Sequence, residues 1–184
     1  MRVFLDFEAS SLGDDSYPIE VGWAAEDGSG EAHLIRPAPG WTDWDPTAEA
    51  IHHLTRMQVV AEGEPHEAVA RRALAALRPH EIYVSAPSWD GKWMSVLLRA
   101  AGLPRHALRL KDADDAHREA VAEILRGRVP DAELTPLTAL LLAEARGCVG
   151  GPPRHRALAD AQQELQVWRE IQRLAARERD RSPG

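Results

Sequence analysis

Cysteine is almost absent from the chain: among 184 residues, Cys148 is the only one. One thiol cannot build an internal disulfide framework, and it excludes a cysteine-based structural zinc site. Long apolar runs are missing too. Nothing near 18 consecutive apolar residues occurs, so no membrane-spanning helix and no membrane partner are expected. The opening stretch "MRVFLDF" offers one Arg, a short apolar run and then acids, which is not the anatomy of a signal peptide. The expectation is a cytoplasmic protein. Lysine is scarce as well, limited to Lys92 and Lys111. Positive charge is outweighed, with 22 Lys and Arg against 29 Asp and Glu and a net charge of −7. Proteins that hold nucleic acid by bulk electrostatics are usually basic, so the composition argues against tight non-specific DNA binding. A cluster of metal-binding acids would give the same sign.

What is present is an ordinary soluble mixture, 44% apolar and 28% charged, at a length that suits one domain with its own core. That domain is set at residues 1–176, with 177–184 as a frayed C-terminal tail. The first third reads as strands. "RVFLDF", "PIEVGWAAE" (18–26) and "EAHLIRP" (31–37) form an antiparallel meander, the last two joined through "EDGSG" with Gly28 and Gly30 supplying positive backbone angles. A loop with three prolines (36–46) carries Trp41 and Trp44, suited to covering the sheet edge or to a dimer contact. Short helices follow, then an amphipathic helix over 65–79 with Val69, Ala70, Ala73, Leu74 and Leu77 on one stripe. "EIYVSA" (81–86) reads as a buried strand, 89–103 as a helix and 107–113 as another strand. Helices at 114–127, 136–147 and 155–179 complete the chain. A meander followed by alternating helices and strands predicts an α/β domain with a mixed sheet.

Three places hold acids that demand a reason. Asp6 and Glu8 are two apart at the end of the apolar run Val3-Phe4-Leu5, so on a strand both point to one face. Both fall at the strand's carboxyl end, where α/β folds build sites. Such a pair can share a divalent cation, and oxygen ligands without cysteine favour magnesium or manganese. The alternative is that the strand ends there and both acids are solvated. Asp90 follows the strand "EIYVS" near a helix start, where an acid can equally serve the helix dipole, worth about 0.3–1 kcal/mol. His155 and Asp160 lie five apart after two prolines. In one ideal helix they would stand about 140° apart, so His155 is expected to swing from the loop while Asp160 projects from the first turns.

Taken together, the acid-x-acid strand, the acid after a middle strand and the His-x4-Asp pattern on the last helix resemble the DEDDh family of 3′–5′ exonucleases. The match runs from residue 6 to residue 160: Asp6 and Glu8 fit the first motif, Asp90 the middle one, His155 and Asp160 the third. The resemblance implies a ribonuclease H-like fold: α/β, with a five-stranded mixed sheet of an antiparallel meander (strands 1–3) and then parallel strands, flanked by helices. It implies one exonuclease domain, and hydrolysis of phosphodiester bonds at single-stranded or frayed 3′ ends of DNA or RNA. Members of that family are often dimers, so a homodimer is compatible with it. Departures exist. Where the family usually has Thr-Thr-Gly after the first motif, this chain has Ala9, Ser10, Ser11, Leu12 and Gly13. The family's frequent Asn, four residues before the middle Asp, is Ala86 here.

The implied chemistry uses two divalent cations, Mg2+ or Mn2+, about 3.5–4 Å apart, to activate a water and to stabilise the leaving oxygen. Asp6 would bridge them, Glu8 and Asp160 would complete the first, and Asp90 would serve the second directly or through water. His155 would be the general base for the attacking water. The ordinary imidazole pKa of about 6.5 suits that task, and neighbouring carboxylates are expected to raise it. The residues expected near the terminal nucleotide are Phe7, Ala9, Ser10, Leu12, His52 (or His53) and Trp89, with Phe7, Leu12 and Trp89 as stacking or wedging groups worth about 1–3 kcal/mol per base. For those three, ordinary core packing is the competing explanation. Two other classes remain open at the level of sequence: a non-catalytic nucleic-acid- or protein-binding module on the same fold, and an unrelated α/β protein with solvated acids. Convergence of the four carboxylates on one point separates the last from the rest.

Overall fold

Along residues 2–9 the side chains alternate between two environments. Val3, Leu5, Phe7 and Ala9 enter one apolar cluster, and Phe4 enters another on the opposite side. That period of two makes Arg2–Ala9 a strand, β1, covered on both faces. In the computed structural model, which describes residues 1–181, β1 is followed by β2 (Pro18–Ala25) and β3 (Gly30–Arg36). The three form the expected antiparallel meander, with Leu5 opposite Trp23 and Gly22 opposite Ala32. In the turn between β2 and β3 only Gly28 takes the left-handed backbone, at φ 92°. Gly30 does not. It is small for another reason: a Cβ there would lie 2.8 Å from the Trp23 carbonyl oxygen.

Next come α1 (Pro46–His52), α2 (Arg56–Glu62), the two-residue β4 (Glu64–Pro65), α3 (His66–Leu77), β5 (Glu81–Val84) and α4 (Pro87–Ala100). Then β6 (Leu110–Asp112), α5 (Ala113–Leu125), α6 (Asp131–Val149) and α7 (Ala157–Arg181) complete the described chain. The sheet order is β4-β3-β2-β1-β5-β6, with β5 parallel to β1 and β6 parallel to β5. The sheet therefore has six strands where five were expected. The extra one, β4, pairs only at Ile35–Glu64 and Arg36–Pro65, and two residues carry no alternation to read. Its proline is tolerated because the strand is at the edge.

Two layers cover the sheet. On one face α3 and α4 contribute Val69, Ala73, Leu77, Trp93, Met94 and Leu97 to the larger cluster. On the other, α5, α6 and α7 pack around Phe4, with the Trp168 ring 6.0 Å from the Phe4 ring. A smaller cluster around Tyr17, Ile19, Leu54 and Val59 seats α1 and α2. Trp41 stacks on Tyr17 at 5.0 Å, and Trp44 donates its indole N–H to Glu49 at 2.7 Å, so both loop tryptophans pack on the chain itself. Helix boundaries depart from expectation by a few residues, most clearly at α6 and α7. Pro136 lies inside α6 and does not start it. Helix α7 begins two residues after His155 and runs through Arg181, into the stretch expected to fray; residues 182–184 lie outside the described part.

Candidate active site

The same alternation that builds β1 delivers its acids. On the face turned toward α7 the strand reads Phe4, Asp6, Glu8, so an apolar core contact gives way to two carboxylates toward the carboxyl end. Strand β5 pairs with β1 only from Arg2 to Phe4. Beyond Phe4 that side of β1 has no β5 residue opposite it. Asp90 fills the gap from the first turn of α4. It is 1% exposed, and its Oδ2 accepts the Ala86 N–H at 3.2 Å. Burial pushes the Asp90 carboxyl up to about 7, against the pull of backbone hydrogen bonds at Ala86 and Phe7.

The third contribution comes from the start of α7. His155 precedes the helix with a left-handed backbone, φ 53°, one of two non-glycine residues so placed among those described. That conformation is rare for a side chain with a Cβ and costs of order 1–3 kcal/mol, so neighbours must enforce it. They do so on both sides. Asp160 Oδ1 accepts the Arg154 N–H at 2.7 Å, and Arg156 is anchored to the sheet through Glu20. The result brings one ligand atom each from Glu8, His155 and Asp160 to within 4.8 Å of one another. Asp6, Glu8, His155 and Asp160 line a single cleft of about 420 Å³, with Glu164 and Arg146 farther along its wall. Asp90 sits behind Asp6, close enough that its charge is the largest electrostatic influence on that carboxyl.

The acids strain one another. Asp6 is raised well above the ordinary range, first by burial and then by the charges of Asp90, Glu8, Asp160 and Glu20. Glu8 is pushed up to about 8 by burial and by Asp160 and Glu20, with Arg156 opposing. Carboxylates this close cannot all ionise together without a counter-charge, so protons or a cation must supply it. Glu8, Asp160 and His155 form a hard, mostly oxygen donor set, with Asp6 on the same cleft. That set fits Mg2+ or Mn2+ and would also accept zinc through the imidazole.

The residues expected at the terminal nucleotide have less uniform positions. Leu12 is 67% exposed and free to touch a ligand. Trp89 is half-buried, stacked on Trp93 at 5.6 Å with the Lys92 ammonium 5.2 Å above its ring. Phe7 is buried in the core on the α3/α4 side, though it borders the cleft. Ala9 is buried. Ser10 is fully buried, donating to Asp43 at 3.0 Å and accepting the Tyr17 N–H at 3.1 Å. Ser11 donates to the same Asp43 carboxylate, so these two hydroxyls hold the 37–45 loop. His52 is buried, its Nδ1 accepting the Leu54 N–H at 3.1 Å.

Sequence reasoning missed Glu20, Gly22 and Arg156. All eight residues of β2 are buried, so Glu20 is an acid inside a strand with no wet face. Alternation puts it with Gly22 and Ala24 on the face opposite Ile19, Val21 and Trp23, and gives it no partner. The signal that points to it is the mismatch between a carboxylate and a strand otherwise made of Pro, Ile, Val, Gly, Trp and Ala.

A sheet of this order, with a cluster of acids at the carboxyl end of its central strand, defines a ribonuclease H-like architecture. Among solved structures, the chain is similar to E. coli exonuclease I. Against the zinc-bound form complexed with single-stranded DNA the TM-score is 0.68 at 19% identity, over 94% of this chain and 40% of that one. The metal-free form of that complex gives 0.66 at 17%, over 98% and 41%. The complex with an oligo-dT gives 0.63 at 19%, over 89% and 39%. At these identities the likeness establishes a shared fold, and this chain spans about two fifths of the length of those structures. No protein-family model and no curated protein matches the sequence.

Proposed function

We propose that the chain is a metal-dependent 3′–5′ exonuclease acting on single-stranded or frayed 3′ ends. The observation that carries this reading is the meeting of Glu8, His155 and Asp160 within 4.8 Å, on one cleft with Asp6 and beside buried Asp90. Solvated acids of an unrelated α/β protein would be scattered; here Glu8 and Asp160 meet at His155, and burial raises the carboxyls of Asp6, Glu8 and Asp90. Divalent cations bound there would supply an activated water and charge neutralisation at the leaving oxygen. The chain's own part is to hold and orient. Asp6, Glu8 and Asp160 would hold the cations from two sides of the cleft, with Asp90 completing the set behind Asp6. A ring nitrogen of His155 would accept the proton of the attacking water. Exposed Leu12 and the half-buried Trp89 are the candidate contacts for the terminal base. Single-stranded DNA as substrate is supported by the similar structures, which are described as bound to it.

The test is direct. End-labelled DNA and RNA oligonucleotides are incubated with the protein and Mg2+, Mn2+ or chelator. Stepwise shortening from the 3′ end that needs metal is expected, and Asp6→Ala should reduce it by at least about 10³-fold while the protein stays folded. Failure of every metal to support 3′ shortening on either substrate would falsify the catalytic reading.

A further inference from the structure

Strand β2 repeats the spacing of the β1 acids with different chemistry. Gly22 stands opposite Asp6, and Glu20 stands opposite Glu8. Gly22 makes room: a Cβ there would lie 2.2 Å from the Leu158 nitrogen and 2.5 Å from the Ala157 carbonyl carbon. The first turn of α7 therefore rests directly on the sheet beside Asp6. Glu20 makes the bond. It is 3% exposed, and Arg156 donates to it from Nη2 at 2.6 Å to Oε1 and from Nε at 3.1 Å to Oε2. The Ala157 N–H, at the open N-terminus of α7, donates to Oε2 at 3.0 Å. Both carboxylate oxygens are thus engaged, and neither belongs to the group formed by Glu8, His155 and Asp160.

A buried acid facing Glu8 adds repulsion to a site already crowded with carboxylates. Its partners give the reason for it. They are the two residues that follow His155, while the residue before His155 is held by Asp160. His155 is therefore the middle link of a segment clamped at both ends, in a backbone conformation that a free loop would leave. We infer that Glu20 is a positioning residue for His155, holding Arg156 and the Ala157 N–H so that the imidazole stays beside Glu8 and Asp160. This rests on the exonuclease reading for the role of His155, but the clamp itself is a property of the folded chain. Bidentate pairing with Arg gives it a defined direction that a single hydrogen bond lacks.

Two variants test it in the full chain. Glu20→Gln keeps the size and one acceptor oxygen but loses the ionic fork. Arg156→Gln removes the same fork from the exposed side and leaves β2 untouched, should Glu20→Gln fold poorly. The first measurement needs no activity: amide hydrogen exchange over 153–158 in metal-free protein, where both variants should lose protection. Unchanged protection in both overturns the inference. The second is kinetic. Each variant should lower kcat about 10–100-fold with KM for the oligonucleotide and Mn2+ affinity nearly unchanged. Added to His155→Ala, Glu20→Gln should cost nothing more. An equal loss in the His155→Ala background would mean that Glu20 acts apart from His155, and the inference falls. If the unmodified protein shortens no 3′ end, the exonuclease reading fails alone, and the exchange result still decides the clamp.

Discussion

Glu8 concentrates the physical tension of the site. Its carboxyl is pushed from 4.5 up to about 8, and that of Asp90 from 3.8 to about 7. Between those limits the folded protein keeps protons that the unfolded chain has released. Stability of the metal-free protein therefore falls as pH rises through this range. Buried His52 and His117 work the other way, because burial pushes both imidazoles below 6.5, and folding gains as pH rises to that value. Above it the acids act alone. The expected outcome is a melting temperature in chelator that drops from pH 6.5 to pH 8. Glu8→Gln should flatten that drop and raise the pH 8 value by a few degrees, at about 2–4 °C per kcal/mol for a chain of this size. Adding Mn2+ should reverse the slope, since the cation competes with protons and binds better as they leave. Calorimetry at three pH values, with and without Mn2+, checks all three. A metal-free melting temperature that rises toward pH 8 would contradict the picture of mutually repelling carboxylates.

The site depends on how α7 meets β2, and at that scale Gly22 is the sensitive point. Gly22→Ala puts a Cβ against backbone atoms of α7, which cannot yield as a side-chain tip can. The helix start must lift, with a loss of about 1–3 kcal/mol in stability and weaker Mn2+ binding as Asp160 moves. Gly91→Ala in α4 is the control. Nothing lies within 4 Å of a Cβ there, and replacing a mid-helix glycine should stabilise by about 0.5–1 kcal/mol. Chemical denaturation of both, with Mn2+ titration calorimetry of the first, separates a steric effect from a general glycine effect. The contrast also marks what was legible beforehand. The meander, the amphipathic α3 and the long α7 carry periods of 2 or 3.6 in their own residues, so they could be read. The five acid and histidine positions could be proposed because motif order can be read without any knowledge of packing, and the fold brings Glu8, His155 and Asp160 of that set together. Glu20 and Gly22 were not, because their roles exist only in the register between β1 and β2 and in the closeness of a helix far along the chain. Ser10 and Ser11 were ambiguous for a similar reason: only the fold brings Asp43 to their hydroxyls. Strand β4 was invisible because its two residues leave no pattern.

For the whole molecule the question is how a chain of net charge −7 would hold the polyanion that the proposed function requires. The cleft is itself lined by Asp6, Glu8, Asp160 and Glu164, with Arg146 as the cation on its wall. One Arg146 nitrogen lies 3.7 Å from Asp114. This cleft has one basic side chain on its wall, so binding by the proposed exonuclease would rest on divalent cations at the acid cluster, on base contacts near Leu12 and Trp89, and on one or two phosphates. Counterion release then contributes little. Each neutralised phosphate of a single strand adds about −0.7 to the slope of log K against log salt, so two give about −1.4. Raising salt from 50 to 200 mM should weaken binding less than about tenfold, against about 10³–10⁵ for a protein with 6–10 phosphate contacts. Lengthening the oligonucleotide beyond a few nucleotides should add little affinity, because the cleft offers only Arg146 to the extra phosphates. The measurement is fluorescence anisotropy of labelled single strands of several lengths on His155→Ala protein with Mn2+, at both salt concentrations. A steep salt slope, or affinity that keeps growing with length, would mean that arginines outside the cleft hold the strand.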